Sequence, residues 1–297
     1  MQPRFNRRVP DGEITRAKIN TFVNLKEAFA NLTKWLSPRQ YELVMQQRCV
    51  QGLLKLGSLG WAGQVFHNIL MRLTDHSDNS DALWFQVGEE LGRFSISEFG
   101  IITGMKCVGS THLQPMAEPR LVKRYFPTVR GVSRENLELQ MSNAKFDDDA
   151  DAIKLGLLYL IFCIPLSNAN SVKIDTKFFA LADNLDAFNQ FPWGVLSWEA
   201  TRAALCAVVE NRTSSKRRTS KKPQQVHYSV AGFPHALLVW AYESIPTIAA
   251  KFTTNYEPAV PRMISWVTAD NVKFDEVMWA FTAVGDEQVS TLTYSSQ

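Results

Sequence analysis

The apolar residues of this chain recur mostly with the period of an α-helix. One helix is predicted over about residues 20–35, where the helical spacing is carried by Phe22, Leu25, Phe29 and Leu32. A second begins at Ser37-Pro38, an N-cap residue followed by a proline suited to the first helical position. The same reasoning predicts helices over about 61–73, 133–144, 152–164, 175–189, 197–210, 235–244 and 274–281. The helix over 152–164 is apolar on nearly every side, so we expect it to be deeply buried.

One stretch combines strand patterns with a short helix. Leu83–Val87 and Gly92–Ile96 are typical of two strands, and Gly88–Glu90 between them is suited to a hairpin turn. Ser97 then caps a helix that Gly104 ends, because glycine adopts the left-handed conformation without steric cost. This ββα unit predicts a winged-helix-like element. The fold class predicted is therefore mainly α with short β-hairpins, an α+β protein.

The composition is that of a globular protein, with 45% hydrophobic and 21% charged residues among 297. Residues 1–19 hold prolines and lack periodicity, so we expect a flexible basic arm there. A single domain is predicted over 20–297, built compactly or as two associated halves at 20–112 and 132–297. The longest apolar run, Leu155–Leu166, is too short to cross a bilayer, and no membrane partner is expected.

The net charge is only +3, but the basic residues are clustered. The segment 211–225 contains no acidic residue, and we interpret it as an exposed basic loop that follows a helix and precedes a candidate strand at Val226–Val230. Lysine and arginine neutralise phosphates with release of counterions, so such a loop adds affinity for DNA without reading sequence. A nuclear localisation signal and a merely solvated loop are the alternatives. The candidate DNA contacts here are Lys216, Arg217, Arg218, Lys221 and Lys222.

Two other segments carry side chains suited to DNA. A basic N-terminal arm can enter the narrow minor groove of A·T-rich DNA, although a disordered terminus is the simpler interpretation. The segment 120–140 includes a predicted helix that Ser133 caps, and it carries guanidinium groups suited to guanine and amide groups suited to adenine in the major groove. A solvated helix face is the alternative explanation for these side chains. The candidates are Arg4, Arg7 and Arg8 in the arm, and Arg120, Lys123, Arg124, Arg130, Arg134, Asn136 and Gln140 in the second segment.

No reaction centre is recognisable, so we expect a protein that is not an enzyme and needs no metal or cofactor. No pair of cysteine or histidine residues has the spacing of a zinc site. The carboxylates of Asp147–Asp151 suit an exposed helix N-terminus better than a metal site. We expect His235 to be a packing residue, and the rings of Trp193, Trp198 and Trp240 to lie in the core.

Three segments, in this order, resemble a plant domain of unknown function. Arg93–Ser95, Glu98-Phe99 and Thr103–Cys107 follow its pattern RFS-x-x-EF-x-x-x-TGL-x-C, with Met105 where leucine is common. The remaining matching stretches are Ala152–Leu160, Asp183–Asn189, Phe191–Gly194, Ser197–Thr201 and Gly232–Pro246. The resemblance extends over about residues 40–267.

That domain forms much of the VANC proteins of plant VANDAL transposons, which are Mutator-like elements. VANC proteins bind short repeated motifs in the non-coding DNA of their own transposon, and loss of DNA methylation follows. The resemblance thus implies a nuclear, sequence-specific double-stranded DNA-binding protein that counteracts silencing. Its implied partners are short DNA motifs, A·T-rich ones among them, and chromatin or transcription factors.

The same domain also occurs upstream of Ulp1-like cysteine proteases in transposon proteins. The alternative function is therefore a non-catalytic protein-interaction module related to that N-terminal part. A protease of this kind normally shows Gln and Asp shortly before its nucleophilic Cys and often Gly after it, a context that none of the four Cys residues has. The protease module is thus not in this sequence.

Overall fold

The computed structural model describes residues 6–53, 59–77, 81–116, 118–143, 146, 148–215, 226–255, 259–269 and 271–284. Helices dominate these residues, and their short strands form one three-stranded sheet and two strand pairs. The predicted class, mainly α with short β elements, is confirmed.

The described helices, in chain order, are α1 (Leu25–Trp35), α2 (Pro38–Met45), α3 (Arg48–Gln51), α4 (Gly63–Leu70), α5 (Ile96–Thr103), α6 (Arg120–Tyr125), α7 (Arg134–Asn143), α8 (Asp149–Cys163), α9 (Thr176–Ala182), α10 (Leu185–Gln190), α11 (Trp193–Ser215), α12 (His235–Ser244), α13 (Pro246–Phe252) and α14 (Phe274–Ala283). The described strands are β1 (Ala17–Thr21), β2 (Leu73–Thr74), β3 (Leu83–Val87), β4 (Glu90–Phe94), β5 (Val226–Val230), β6 (Thr253–Asn255) and β7 (Trp266–Thr268). Turns of 3-10 helix lie at Asp11–Glu13 and Arg262–Ser265.

Local capping signals account for most helix positions. Ser37 caps α2 as predicted, in a capping box with Gln40. The single helix predicted over 175–189 is instead two, α9 and α10, because the Asn184 side chain accepts a hydrogen bond from the Ala187 amide and caps a new helix. The helix predicted from Ser197 begins earlier and continues to Ser215 as α11.

The predicted ββα unit is present, but its helix lies inside the protein. The antiparallel strands β3 and β4 lead into α5, which Ser95 rather than Ser97 caps in a capping box with Glu98. Gly104 ends α5 with φ of 68°, and a Cβ there would lie 2.9 Å from Cβ of Pro261. Helix α5 packs against α11 and α12 and buries Phe99 and Ile102, while Ser97 on its other side is exposed. The two strands and the helix of the predicted unit are confirmed, and its likeness to a winged helix stays a prediction.

The core is rich in aromatic rings. Phe94 and Trp198 meet edge to face with centroids 5.3 Å apart, and Trp240 joins them while its indole N–H donates to the Arg93 carbonyl at 2.9 Å. Trp193 is buried in a second group with Phe188. All three predicted core tryptophans are thus confirmed. Within the described residues, no helix is both long and apolar enough to cross a bilayer.

The prediction of a flexible arm over residues 1–19 is wrong for the part that the structure describes, 6–19. Val9, Ile14 and Ala17 are buried in the main core. The segment first bridges β2 at Thr74 and then forms β1, which pairs in parallel with β5. Burial of these apolar side chains stabilises the ordered path of this segment.

Candidate nucleic-acid interface

The basic loop predicted over 211–225 is wrong for residues 211–215, which continue helix α11. Helix α11 ends at Ser215, and strand β5 begins at Val226. The intervening segment, residues 216–225, lies outside the described residues, so nothing is said of its structure. It carries the predicted DNA contacts Lys216, Arg217, Arg218, Lys221 and Lys222. The structure places the two residues that flank it, Ser215 and Val226.

The strand pair β1–β5 sets the downstream end of that segment. Ala17 is the register partner of Val226, and Lys18 is the partner of His227. Successive side chains in a strand alternate between faces, and Lys18 and His227 both lie on the exposed face. The first described residue after the basic segment, Val226, therefore lies beside Ala17 and next to Lys18 in the pair.

An arginine holds the upstream end near the same place. The Nη2 of Arg212, in the last turns of α11, donates to the Glu13 carbonyl at 3.0 Å and to Oγ1 of Thr15 at 2.6 Å. Both flanks of residues 216–225 thus contact residues 13–18. Arg16, whose side chain is 61% exposed and lies 3.5 Å from Asp275, and Lys18 are thereby placed next to the two flanks of the basic segment.

Helix α4 fixes the N-terminal segment from the other side. Trp61, just before α4, donates its indole N–H to the Ile19 carbonyl at 3.1 Å, and the Gln64 amide donates to the Ala17 carbonyl at 2.8 Å. His67 Nε2 lies 3.0 Å from the carbonyl of Thr15. Three side chains thus donate to alternate carbonyls along the outer edge of β1. They take the place of a further strand, so this edge is covered.

His67 also joins α4 to β5. Its Nδ1 lies 2.8 Å from the Tyr228 hydroxyl. Because the Thr15 carbonyl only accepts, Nε2 carries the proton, and Nδ1 of the neutral ring accepts from Tyr228. Desolvation by burial lowers the pKa of His67 to about 4, so the ring is neutral near pH 7.

The two arginines of the predicted arm that the structure describes are bound to the protein surface. Arg7 Nε donates to Oε1 of Gln86 at 2.7 Å, and Arg8 Nε forms an ion pair with Asp75 at 2.7 Å. Both side chains are half-buried beside the three-stranded sheet. They are therefore not carried on a free arm that reaches into a minor groove. Arg4 lies outside the described residues.

Two of the predicted base contacts in the segment 120–140 are engaged by a buried carboxylate. Asp151 is fully buried, and Arg120 donates to it through Nη1 at 3.0 Å while Arg124 donates at 3.2 Å. The Tyr125 hydroxyl adds a third donor at 3.0 Å, and Arg120 also contacts Asp183. The hydrogen bonds from Arg120 hold the pKa of Asp151 below its usual range.

This cluster fastens α6 to α8 and α9. The interpretation of the acidic run as an exposed helix turn is wrong for Asp151, although Asp148 does cap α8 through the Ala150 amide at 2.8 Å. Arg120 and Arg124 would have to leave a buried carboxylate unpaired before they could pair with a base, and that is strongly unfavourable.

The other predicted base contacts lie on or near α7. Asn136 accepts from the Ser133 amide at 3.0 Å, and the Ser133 hydroxyl accepts from the Asn136 amide, so both serve as a helix cap. Arg134 contacts Asn170 and lies 3.6 Å from Glu138. Lys123 pairs with Glu118 at 3.0 Å. Arg130 is exposed and Gln140 is half-buried.

The described residues contain no group of three or more histidine, cysteine or acidic side chains that could hold a metal ion. Burial raises the pKa of the Cys49 thiol to about 12 and that of Cys107 to about 11. Nucleophilic cysteines need a lowered pKa, because the thiolate is the reactive form. These two thiols are therefore poorly suited to nucleophilic catalysis.

Comparison with known proteins identifies one domain. Residues 71–204 match the family described as "Domain of unknown function (DUF1985)", and they extend from the end of α4 into the first half of α11. The match covers 134 of the 297 residues, and this part of the chain is similar to that family. No curated protein and no solved structure matches the chain. The surface formed by β1, the end of α11 and β5 lies outside the matched residues.

Proposed function

We propose that this protein binds double-stranded DNA at short motifs of transposon non-coding DNA in the nucleus and counteracts silencing there. The resemblance of its motifs to VANC proteins supports the choice of DNA and of transposon sequences. The DUF1985 match is consistent with that resemblance, since the matched range holds the RFS and TGM motifs.

One observation carries the proposal: the described residues on either side of the basic segment converge on the N-terminal strand. Arg212 and the register of Ala17 with Val226 hold both flanks of residues 216–225 against residues 13–18. The sequence joins these two flanks by a segment with five cations, and the exposed Arg16 and Lys18 lie beside the flanks. Cations gathered in this way meet a phosphate backbone as a group, and each phosphate contact releases counterions.

The same region offers side chains that can distinguish bases. Lys18 and Asn20 on β1 lie on one exposed face with His227 and Ser229 on β5, and Asn20 Nδ2 is 3.2 Å from His227 Nε2. A two-stranded ribbon fits the major groove, and an amide can make paired hydrogen bonds to adenine. We therefore assign base reading to this ribbon face, in place of Arg120, Arg124, Arg134 and Asn136.

Selection from a random duplex library tests the proposal directly. We expect enrichment of a short motif and a steep decrease of affinity with salt, with a logarithmic slope of about −0.9 for each phosphate contacted. Binding that is equal for all duplexes, or absent in dilute buffer, would refute it. Expression of the protein in plant cells should then reduce cytosine methylation at loci that carry the selected motif. Unchanged methylation there would refute the anti-silencing part alone.

A further inference from the structure

A groove of about 380 Å³ lies where helix α12 ends and α13 begins. Strands β6 and β7 complete its walls. The described residues that line it are Tyr242, Glu243, Pro246, Ala249, Ala250, Thr253, Asn255 and Trp266. None of them belongs to the ribbon face on β1 and β5 or to the residues matched to DUF1985. The groove is therefore a separate feature of the surface.

One carboxylate is the only charged group among the described residues that line the groove. Glu243 is half-buried there, and its Oε1 accepts a hydrogen bond from the indole N–H of Trp266 at 2.7 Å. This contact holds the carboxylate in one orientation at the wall. The other oxygen, Oε2, has no donor among the described residues. An ionised carboxylate only accepts hydrogen bonds, so an acceptor position remains open in the groove.

The position of Glu243 in its helix is unfavourable. It lies in the last turn of α12, all of which is described, and that turn contains no basic residue. The carboxyl end of a helix carries partial negative charge, so a carboxylate there is destabilising unless a cation accompanies it. Pro246 adds to this effect, because it has no N–H to donate to the Tyr242 carbonyl.

No described cation compensates this charge. No lysine, arginine or histidine is among the described residues that line the groove. Lys251 is the basic residue of α13, and its ammonium instead lies 4.0 Å from the ring centroid of Trp279, which is not part of the lining. A cation supplied from outside would therefore meet a negative charge that the described part of the protein leaves unpaired.

The arrangement favours an ammonium over a guanidinium group. A guanidinium pairs best with both oxygens of a carboxylate at once, whereas a compact ammonium can use a single oxygen. Trp266 already donates to Oε1 of Glu243, so one oxygen is left. The apolar side chains of Pro246 and Ala249 offer a surface to the methylene chain of a lysine.

The aromatic residues of the groove favour an unmethylated ammonium. Trp266 is 6% exposed and Tyr242 is 1% exposed, so little of either ring faces the groove. Capture of a quaternary ammonium depends on aromatic ring faces around the cation. Trimethylation would also remove the N–H groups that can donate to Glu243.

We propose that a lysine side chain in a flexible segment of a partner protein binds in this groove. Its ammonium donates to Oε2 of Glu243 and supplies the cation that the end of α12 lacks. Pro246, Ala250 and Asn255 are exposed, so the side chain can enter from solvent. The inference goes beyond DNA binding and does not depend on it.

Nuclear magnetic resonance of the ¹⁵N-labelled protein tests the site, because the indole N–H of Trp266 reports directly on Glu243. The Trp266→Phe spectrum identifies its resonance. The probe is a blocked heptapeptide of glycine and serine with one central lysine, and three matched peptides carry norleucine, arginine or trimethyl-lysine instead. We expect the lysine peptide to shift the Trp266 resonance and to bind about fivefold more tightly than the others.

Equal affinity of the norleucine peptide would show apolar contact alone and overturn the proposal. Arginine or trimethyl-lysine peptides that bind as tightly as the lysine peptide would overturn it as well. So would the absence of any shift with the lysine peptide at about 10 mM, a concentration that reveals even weak association.

Glu243→Gln removes the charge but keeps an oxygen that can accept from Trp266, so we expect this variant to fold. It should bind the lysine peptide about tenfold more weakly, because a hydrogen bond to a charged group is lost. Glu199→Gln, at an exposed position on α11 outside the groove, is the matched control and should leave affinity unchanged. Unchanged affinity in Glu243→Gln would overturn the inference. Duplex DNA binding is measured separately on the wild-type protein, so failure of this inference leaves the proposed function standing.

Discussion

His67 accepts a hydrogen bond from the hydroxyl of Tyr228 at 2.8 Å, and this contact fastens α4 to the strand that follows the basic segment. The opposite ring nitrogen donates to the Thr15 carbonyl. One buried imidazole thus holds two parts of the chain that are distant in sequence, and both parts border the proposed DNA-binding surface.

Replacement of His67 by alanine should destabilise the protein, because it leaves the Tyr228 hydroxyl and the Thr15 carbonyl without partners. An unsatisfied buried polar group costs about 1–3 kcal/mol, so we expect a decrease of roughly 2–5 kcal/mol in the free energy of unfolding. Urea denaturation measures it. His112→Ala, at an exposed position, is the control and should change little. A His67→Ala protein as stable as the wild type would mean that other contacts hold the N-terminal segment and β5 to α4.

Stability should decrease with acidification between about pH 6.5 and pH 4. Burial lowers the pKa of His67 and of His235 to about 4 each, from an ordinary value of 6.5. On acidification the unfolded chain therefore takes up a proton on each histidine at a higher pH than the folded protein does. The stabilisation by the two neutral histidines is complete above pH 6.5 and is lost as the pH falls to about 4.

The measurement is the free energy of unfolding against pH. Each unit of pKa shift corresponds to about 1.4 kcal/mol, so the loss from two such histidines amounts to several kcal/mol. His235 contacts Trp61 and Phe233, so His235→Gln removes one contribution in an aromatic surrounding. That variant should show a shallower dependence on pH. If the free energy of unfolding of the variant depends on pH as steeply as that of the wild type, His235 does not contribute to the pH dependence.

Asp151→Asn should lower stability without lowering DNA affinity. The substitution removes the buried negative charge that pairs with Arg120 and Arg124, and loss of one partner of a buried ion pair costs about 3–5 kcal/mol. Asp186→Asn, at an exposed position on α10, is a matched control. DNA affinity is then compared at a temperature where both variants are folded. A gain or loss of affinity in Asp151→Asn alone would indicate that the two arginines do contact DNA.

Neutralisation of the basic segment should weaken binding to every duplex and flatten its salt dependence. A protein with glutamine at positions 216, 217, 218, 221 and 222 should lose up to about 4.5 units of logarithmic slope, because five phosphate contacts disappear. The matched control, with the same change in net charge, replaces the exposed residues Lys26, Lys34, Arg39, Lys251 and Lys273. An equal effect of the control would mean that net charge, and not this segment, governs affinity.

Asn20→Ala should instead relax the preference for the selected motif. An amide that pairs with one base contributes about 1–3 kcal/mol of discrimination, and its removal should affect the cognate duplex more than a random one. Competition binding with both duplexes gives the ratio. Gln140→Ala on α7 is the comparison, since that residue belongs to the earlier set of predicted base contacts. If Gln140→Ala relaxes the preference and Asn20→Ala does not, the reading surface is α7.

The elements that local sequence determines were predictable. Ser37-Pro38 places α2, and Gly104 ends α5, because capping and left-handed backbone depend on a few neighbouring residues. The alternation of Ala17, Lys18, Ile19 and Asn20 did contain a strand signal, but its partner Val226 lies far along the chain. A pairing of that separation cannot be inferred from local pattern.

The candidate site was predictable only in part, for an electrostatic reason. The density of cations in 211–225 is visible in the sequence, and the structure supplies its surroundings. A sequence does not show which arginine meets a carboxylate. In the sequence Arg120 and Arg124 resemble base contacts, whereas in the structure both form ion pairs with the buried Asp151.

The pairing of β1 with β5 also orders events during synthesis. A ribosome must complete residue 230 before the strand at residues 17–21 can find its partner. Until then the nascent N-terminal segment exposes Ile14, Ala17 and Ile19, which the finished protein buries. The residues between β1 and β5 must therefore be translated before the two strands can pair. A product that terminates before residue 226 would lack the β1–β5 pair.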